Sequence, residues 1–201
     1  MSDRVIEGDY FDPNTHRYYL DGREVPGVTT ILKRAGVIDT TFLSNTAALH
    51  RGTAVHKRCE WIDSQPREVA LRLAGLTGID SPLAGYERAY GRFIRDCRPI
   101  YSHIEAGLLH ARLRFGGRTD RICVNLSDLG PAVLEIKTGH PAGWHGAQLA
   151  GYQLLFPAGS RWVVYLKPGG NYDLRRCDDA ADYDTFMEAL TDYHAGTGRD
   201  R

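Results

Sequence analysis

The 201-residue sequence predicts an α/β domain: a mixed β-sheet flanked by helices, preceded by an N-terminal β-hairpin and a helical segment. Three observations predict it. Two short β-branched runs, "RTDRICV" and "AVLEIKT", flank "NLSDLGP", whose Asn, Ser, Asp, Gly and Pro are turn chemistry. A helix-period stretch, "HGAQLAGYQLLF", then leads into a further strand, "RWVVYLK". The first hundred residues hold two more helix-period stretches and few strand signals.

Taken in order, "DYFDPNTHRYYLDGREVP" at 9 to 26 reads as a small hairpin, with Asp12-Pro13-Asn14 and Asp21-Gly22 as turns. "GVTTILKRAG" reads as a short helix stopped by Gly36. Helical spacing runs from Thr41 to about Ile62, and a second helix over 81 to 97 opens at Ser81-Pro82. "HIEAGLLHARLRF" reads as a strand leading into the central hairpin, and after "RWVVYLK" come a short strand "YDLRRC" and a closing helix "DYDTFMEALTDYHA". Length favours one domain over 1–201, with residues 1–100 as the hairpin and helical part and 101–201 as the sheet and its helices.

Composition excludes several classes. Hydrophobic content of 42% and charged content of 25% are those of a globular chain. No apolar run reaches membrane-spanning length and no signal-peptide core opens the chain, so a cytoplasmic protein is expected. Cys59, Cys97, Cys123 and Cys177 form no C-x-x-C, which argues against zinc and iron–sulfur sites. Net charge is zero, which argues against coating nucleic acid by bulk attraction, but residues 50 to 120 carry 12 Lys and Arg against 8 Asp and Glu.

The central hairpin carries the chemistry. With its turn near Ser127 and Asp128, Ile122 faces Val133 and Asp120 faces Glu135, while Val133, Glu135 and Lys137 share one face of their strand. Facing carboxylates repel, and a hard divalent cation such as Mg²⁺ or Mn²⁺ would neutralise them. Gly52 and His56 lie four apart on a helix, and Glu60 extends their face. Gln148 and Tyr152 lie four apart on the helix after the E-x-K strand, and Glu105 lies on the strand before Asp120. Arg88, Arg92 and Arg95 form a one-sided helical stripe suited to DNA phosphates or to plain solvation. His140 and His145 offer a weaker metallohydrolase alternative, since their Gly/Pro-rich loop brings no matching acid.

The ordered set G-x-x-x-H, E, G-x-x-D, E-x-K and Q-x-x-x-Y, from about Tyr10 to Phe156, resembles the PD-(D/E)xK nuclease superfamily in its RecB-like and phage exonuclease branch. The opening "YYLDGREVPGVTTILKRAG" is similar to small phage-type members. The resemblance implies a restriction-endonuclease-like core. It implies His56, Asp120, Glu135 and the main-chain carbonyl of Ile136 as ligands of one or two Mg²⁺ or Mn²⁺ ions, and Lys137 as the catalytic lysine. It further implies that Gln148 and Tyr152 support the site and contact DNA, and leaves the role of Glu105 variable. The cysteine pattern of relatives with an iron–sulfur cluster is absent. The implied activity is metal-dependent exonuclease action on linear DNA in phage-type recombination or repair, with a recombination or single-strand-annealing protein as partner and a homo-oligomer left open. The rival readings are a structure-specific or nicking endonuclease and a catalytically silent DNA-binding or assembly protein.

Overall fold

The turn chemistry between Asn125 and Pro131 sets the centre of the fold. In the computed structural model, which describes residues 5–7, 11–12, 15–39, 46–76, 81–157 and 159–197, Ser127 and Asp128 both take positive φ, and Asn125 Oδ1 accepts the Gly130 N–H at 3.1 Å. This turn joins two antiparallel strands that pair Arg121 with Leu134, Ile122 with Val133 and Cys123 with Ala132. The expected register holds.

In chain order the elements are β1 (Val5–Glu7), β2 (Phe11–Asp12), β3 (Arg17–Leu20), β4 (Arg23–Val25), α1 (Val28–Arg34), α2 (Thr46–Asp63), α3 (Arg67–Leu76), α4 (Ala84–Cys97), β5 (Ile100–His110), β6 (Phe115–Asn125), β7 (Ala132–Lys137), α5 (Trp144–Leu155), β8 (Ser160–Leu166), β9 (Tyr172–Arg176) and α6 (Ala181–Ala195). One mixed sheet runs β1-β5-β6-β7-β8-β9, antiparallel throughout except for β7 and β8, which α5 connects in parallel. A second, three-stranded antiparallel sheet holds β2, β3 and β4.

Helices cover both faces of the large sheet because β7 and β8 are apolar on both. Val133 and Val163 pack with α1, α5 and α6, whereas Leu134, Ile136 and Val164 pack with α2, α3 and α4. All five are fully buried, each contributing about 1.5–3 kcal/mol. Cys59, Cys97 and Cys123 lie buried as free thiols in the second of these layers. Gly117 lets α5 lie close on β6: a Cβ there would stand 2.8 Å from the Tyr152 ring. The helices on the other face are tied by the Arg58–Glu87 ion pair, 2.8 Å, between α2 and α4, and by the Tyr90 hydroxyl, which donates to Asp63.

Four expectations need correction. The N-terminal hairpin is a three-stranded sheet, since Asp21 and Gly22, with φ of 52° and 70°, make a tight turn that adds β4 to the paired β2 and β3; Pro13 and Asn14 lie outside the described residues. "HIEAGLLHARLRF" is not one strand: β5 ends at His110, whose ring Nδ1 accepts the Leu113 N–H at 3.2 Å and stabilises a turn that has neither Gly nor Pro. The helix after Ser81-Pro82 starts at Ala84, because Ser81 Oγ accepts the Leu83 N–H in a preceding turn. Helix α3 and strand β1 lay outside the elements expected from sequence. Of the expected helix from Thr41, residues 41–45 fall outside the described residues and the rest is α2. Among the described residues no helix is long and apolar enough to cross a membrane.

Candidate active site

Beyond the Arg121–Leu134 pair the β6–β7 ladder stops, and the carboxylates take over its amides. The Asp120 N–H donates to Glu135 Oε1 at 3.2 Å, and the Ile136 N–H donates to Asp120 Oδ2 at 2.7 Å. On the other side of β6 the pairs Ile104–Arg121 and Ala106–Thr119 bracket Glu105 opposite Asp120. Glu105, Asp120 and Glu135 therefore form a row of acids across three strands. Glu105 sits at φ +54°, a left-handed conformation costing on the order of 1–2 kcal/mol for a residue with a Cβ. Two arginines hold it there: Arg118 Nε lies 3.1 Å from its Oε2 and donates to its main-chain oxygen, and Arg121 Nη1 lies 3.2 Å from its Oε1.

Helix α2 brings His56 to the row, with Nδ1 3.2 Å from Asp120 Oδ1. The Asp120 charge raises the His56 pKa to about 9 against the effect of burial. Burial pushes the Asp120 carboxyl up, but the His56 cation, Lys137 and the Ile136 N–H outweigh it and hold Asp120 well below the usual carboxylate range. Burial and then the Asp120 charge raise Glu105 to about 7, and the same two causes, in that order, raise Glu135. His56, Glu105 and Asp120 each offer a ligand atom within 4.8 Å of the others, a group that could hold a metal ion.

Glu135 is engaged differently. Its Oε2 accepts from Lys137 Nζ at 2.8 Å, Lys137 also donates to Gln148 Oε1 at 3.0 Å, and Gln148 Nε2 donates to the Tyr152 hydroxyl at 3.2 Å. The i, i+4 spacing on α5 thus continues a chain that begins on β7. Burial alone would lower the Lys137 pKa, but Glu135 and Asp120 raise it above the ordinary lysine value. Compared with the ligand set the resemblance implies, Glu105 stands in the cluster, while Glu135 pairs with the lysine beside it.

Part of this site opens on a cleft of about 980 Å³: Gly52, His56, Glu60, Glu105, Ile136 and Lys137 help to line it, with Asp120, Glu135 and Gln148 behind them. The Ile136 side chain is fully buried in the opposite layer, so its main chain is what reaches the cleft. The Arg88, Arg92 and Arg95 stripe does not: all three are exposed on α4, where Arg92 bonds Asn171 and Arg95 pairs with Asp96. The cleft's Lys and Arg side chains are instead Arg51, Lys57, Arg118 and Lys137, beside the His56 cation. His145 also borders it, buried, its Nδ1 taken by the Tyr165 hydroxyl at 2.7 Å and the Ala142 N–H at 3.3 Å, and its pKa lowered to about 3 by burial and then Lys137.

Sequence reasoning missed the support beneath the row. Arg121 is fully buried, pairs with Asp63 at 2.7 Å and donates to the Asp120 carbonyl at 2.6 Å. Asp63 closes the network through the hydroxyl of Tyr90, which lies 3.1 Å from that of Tyr101. The one available signal was Arg121 itself, a charged residue directly before the apolar run Ile122, Cys123 and Val124 of its strand.

No protein-family model and no curated protein matches the chain. A solved structure described as "Crystal structure of SSO0001" is 27% identical over 49% of this chain and 47% of that one, with a TM-score of 0.34. The chain thus spans about half the length of that structure, and a likeness this shallow carries no argument for fold or function.

Proposed function

We propose that the protein is a metal-dependent DNA exonuclease that hydrolyses phosphodiester bonds of linear DNA. The observation that carries this reading is the contact, behind one cleft, of the His56, Glu105 and Asp120 cluster with the hydrogen-bonded chain from Glu135 through Lys137 to Gln148, with His56, Glu105 and Lys137 reaching the cleft itself. The donor set is carboxylate-rich with one imidazole, which fits Mg²⁺ and favours Mn²⁺ somewhat more than an all-oxygen site would. His56, Glu105 and Asp120 would hold the ion, with Glu135 and the Ile136 main chain beside it. Such an ion supplies a Lewis acid for a phosphoryl oxygen and lowers the pKa of water. Lys137, kept an ammonium by its two carboxylate neighbours, supplies a cation and hydrogen-bond donor where charge develops on phosphorus. Gln148, itself held by Tyr152, fixes the direction of that ammonium. Arg51, Lys57 and Arg118 meet the phosphates of the bound strand.

End-labelled linear DNA is expected to lose its label with Mg²⁺ or Mn²⁺ and to survive in EDTA, while covalently closed circles resist. Rapid cutting of closed circles would make the protein an endonuclease. Absence of cleavage with either ion would leave a DNA-binding or assembly protein.

Metal binding should also follow the protons of its ligands. A cation must displace a proton from His56, whose pKa is about 9, and near neutrality also from Glu105, whose pKa is about 7. Mn²⁺ affinity therefore rises with pH between about 7 and about 9 and levels off above. Roughly one to two protons leave per ion at neutral pH. Titration calorimetry in two buffers of different ionisation enthalpy counts them, and His56→Ala should remove the upper step. An affinity that does not change across this range would place the ion elsewhere.

A further inference from the structure

The cleft has an apolar side that the metal and lysine chemistry does not use. Ile38, Leu49, Pro141, Ala142 and Trp144 line it. Leu49, on α2, is 56% exposed. Trp144, half-buried at the start of α5, stands next to the reaction site, with Lys137 Nζ 5.6 Å from its ring centroid.

The indole is held in place. The His145 ring meets it edge-on with centroids 4.1 Å apart. His145 is itself fixed, because Nδ1 accepts the Ala142 N–H and must then accept from the Tyr165 hydroxyl as well. Its proton consequently sits on Nε2, and the ring cannot flip without losing both bonds.

We infer that Trp144 is a stacking platform for the nucleobase beside the phosphodiester that Lys137 engages, and that the cleft accepts an unpaired DNA strand. This rests on the nuclease reading above. A phosphate drawn to Lys137 carries its own base to the indole beside that lysine. Inside a duplex both faces of a base are covered by its neighbours, so away from a paired end only an unstacked base can use the platform. An aromatic platform beside a groove of cations is the combination that holds single strands without reading their sequence, and Arg51, Lys57, Arg118 and Lys137 supply the cations.

The test measures binding in EDTA, so that cleavage plays no part. A fluorescently labelled single-stranded oligothymidylate and a twin lacking the bases of its terminal nucleotides are titrated with the full chain, with Trp144→Ala and with Trp144→Phe. The wild-type protein should bind the intact strand about tenfold or more tightly than the base-free twin. Trp144→Ala should lose that preference, and Trp144→Phe, which keeps an aromatic face, should retain most of it. If Trp144→Ala keeps the full preference, or if the wild-type protein binds both strands equally or neither, the inference is overturned. Nuclease assays fail independently: base-dependent binding through Trp144 without cleavage under any metal would sink the nuclease reading and leave the platform standing.

Discussion

Glu135→Gln and Asp120→Asn are each expected to slow hydrolysis of linear DNA by about 10³-fold or more, with the metal-free fold intact. Both substitutions keep shape and one of the two acceptor oxygens. In Glu135→Gln the new amide oxygen can still accept from Lys137 or from the Asp120 N–H, and in Asp120→Asn the new amide oxygen can still accept from the Ile136 N–H. What they remove is charge in a row of three carboxylates, two of which burial and mutual repulsion already hold above their ordinary pKa. For Glu135→Gln the metal-free thermal midpoint should therefore stay within a few degrees of wild type, whereas Asp120→Asn, which gives up a carboxylate that the His56 cation, Lys137 and the Ile136 N–H stabilise, should lower it; in both, the rise in midpoint on adding Mn²⁺ should shrink. Lys137→Ala separates the roles further. It should keep the metal-dependent rise while cleaving about 10²–10⁴-fold more slowly, because the ammonium donates to the reaction and is no ligand. Near-wild-type cleavage by Glu135→Gln or Asp120→Asn would remove the site from consideration.

How much of this site was legible in sequence follows from the range of the interactions. The Asp120–Glu135 juxtaposition was readable because a hairpin register depends on a short turn and on period-two alternation, both local. The Gln148–Tyr152 contact was readable because it needs only the helical repeat. Local signals could not show that Glu105 completes the row, since that depends on the β5–β6 register across a turn built by a His110 side chain rather than by Gly or Pro. Nor could they orient α4: periodicity made Arg88, Arg92 and Arg95 one-sided, but only tertiary packing decides that this side faces away from the cleft. The α2 helix shows the same limit. Sequence spacing carried the His56 face on to Glu60, which does line the cleft, whereas Asp63, one helical step further, turns inward to an arginine 58 residues away.

That arginine gives the largest expected effect on stability. Arg121→Ala should destabilise the protein by about 3–5 kcal/mol, because it strands the buried Asp63 and the strained Glu105 without their shared cation. The Arg121 side chain has no solvent exposure and that of Asp63 only 2%, so water cannot replace the lost partner. The loss should depend on pH in a definite direction. Burial already raises the Asp63 pKa against the Arg121 charge, and burial followed by Asp120 raises that of Glu105. Without Arg121 both acids rise further. An acid whose folded pKa exceeds its unfolded value stabilises the fold when protonated and loses that contribution as pH climbs toward the folded pKa. Arg121→Ala should therefore be least destabilised in mildly acidic buffer and most destabilised above neutrality, as read by urea unfolding across that range. Adding Asp63→Asn, which removes one stranded charge, should recover part of the stability above neutrality and little in acid. A loss that is the same at every pH would mean that Arg121 matters for its volume in the core, and that Glu105 keeps its place in the acid row through Arg118 alone.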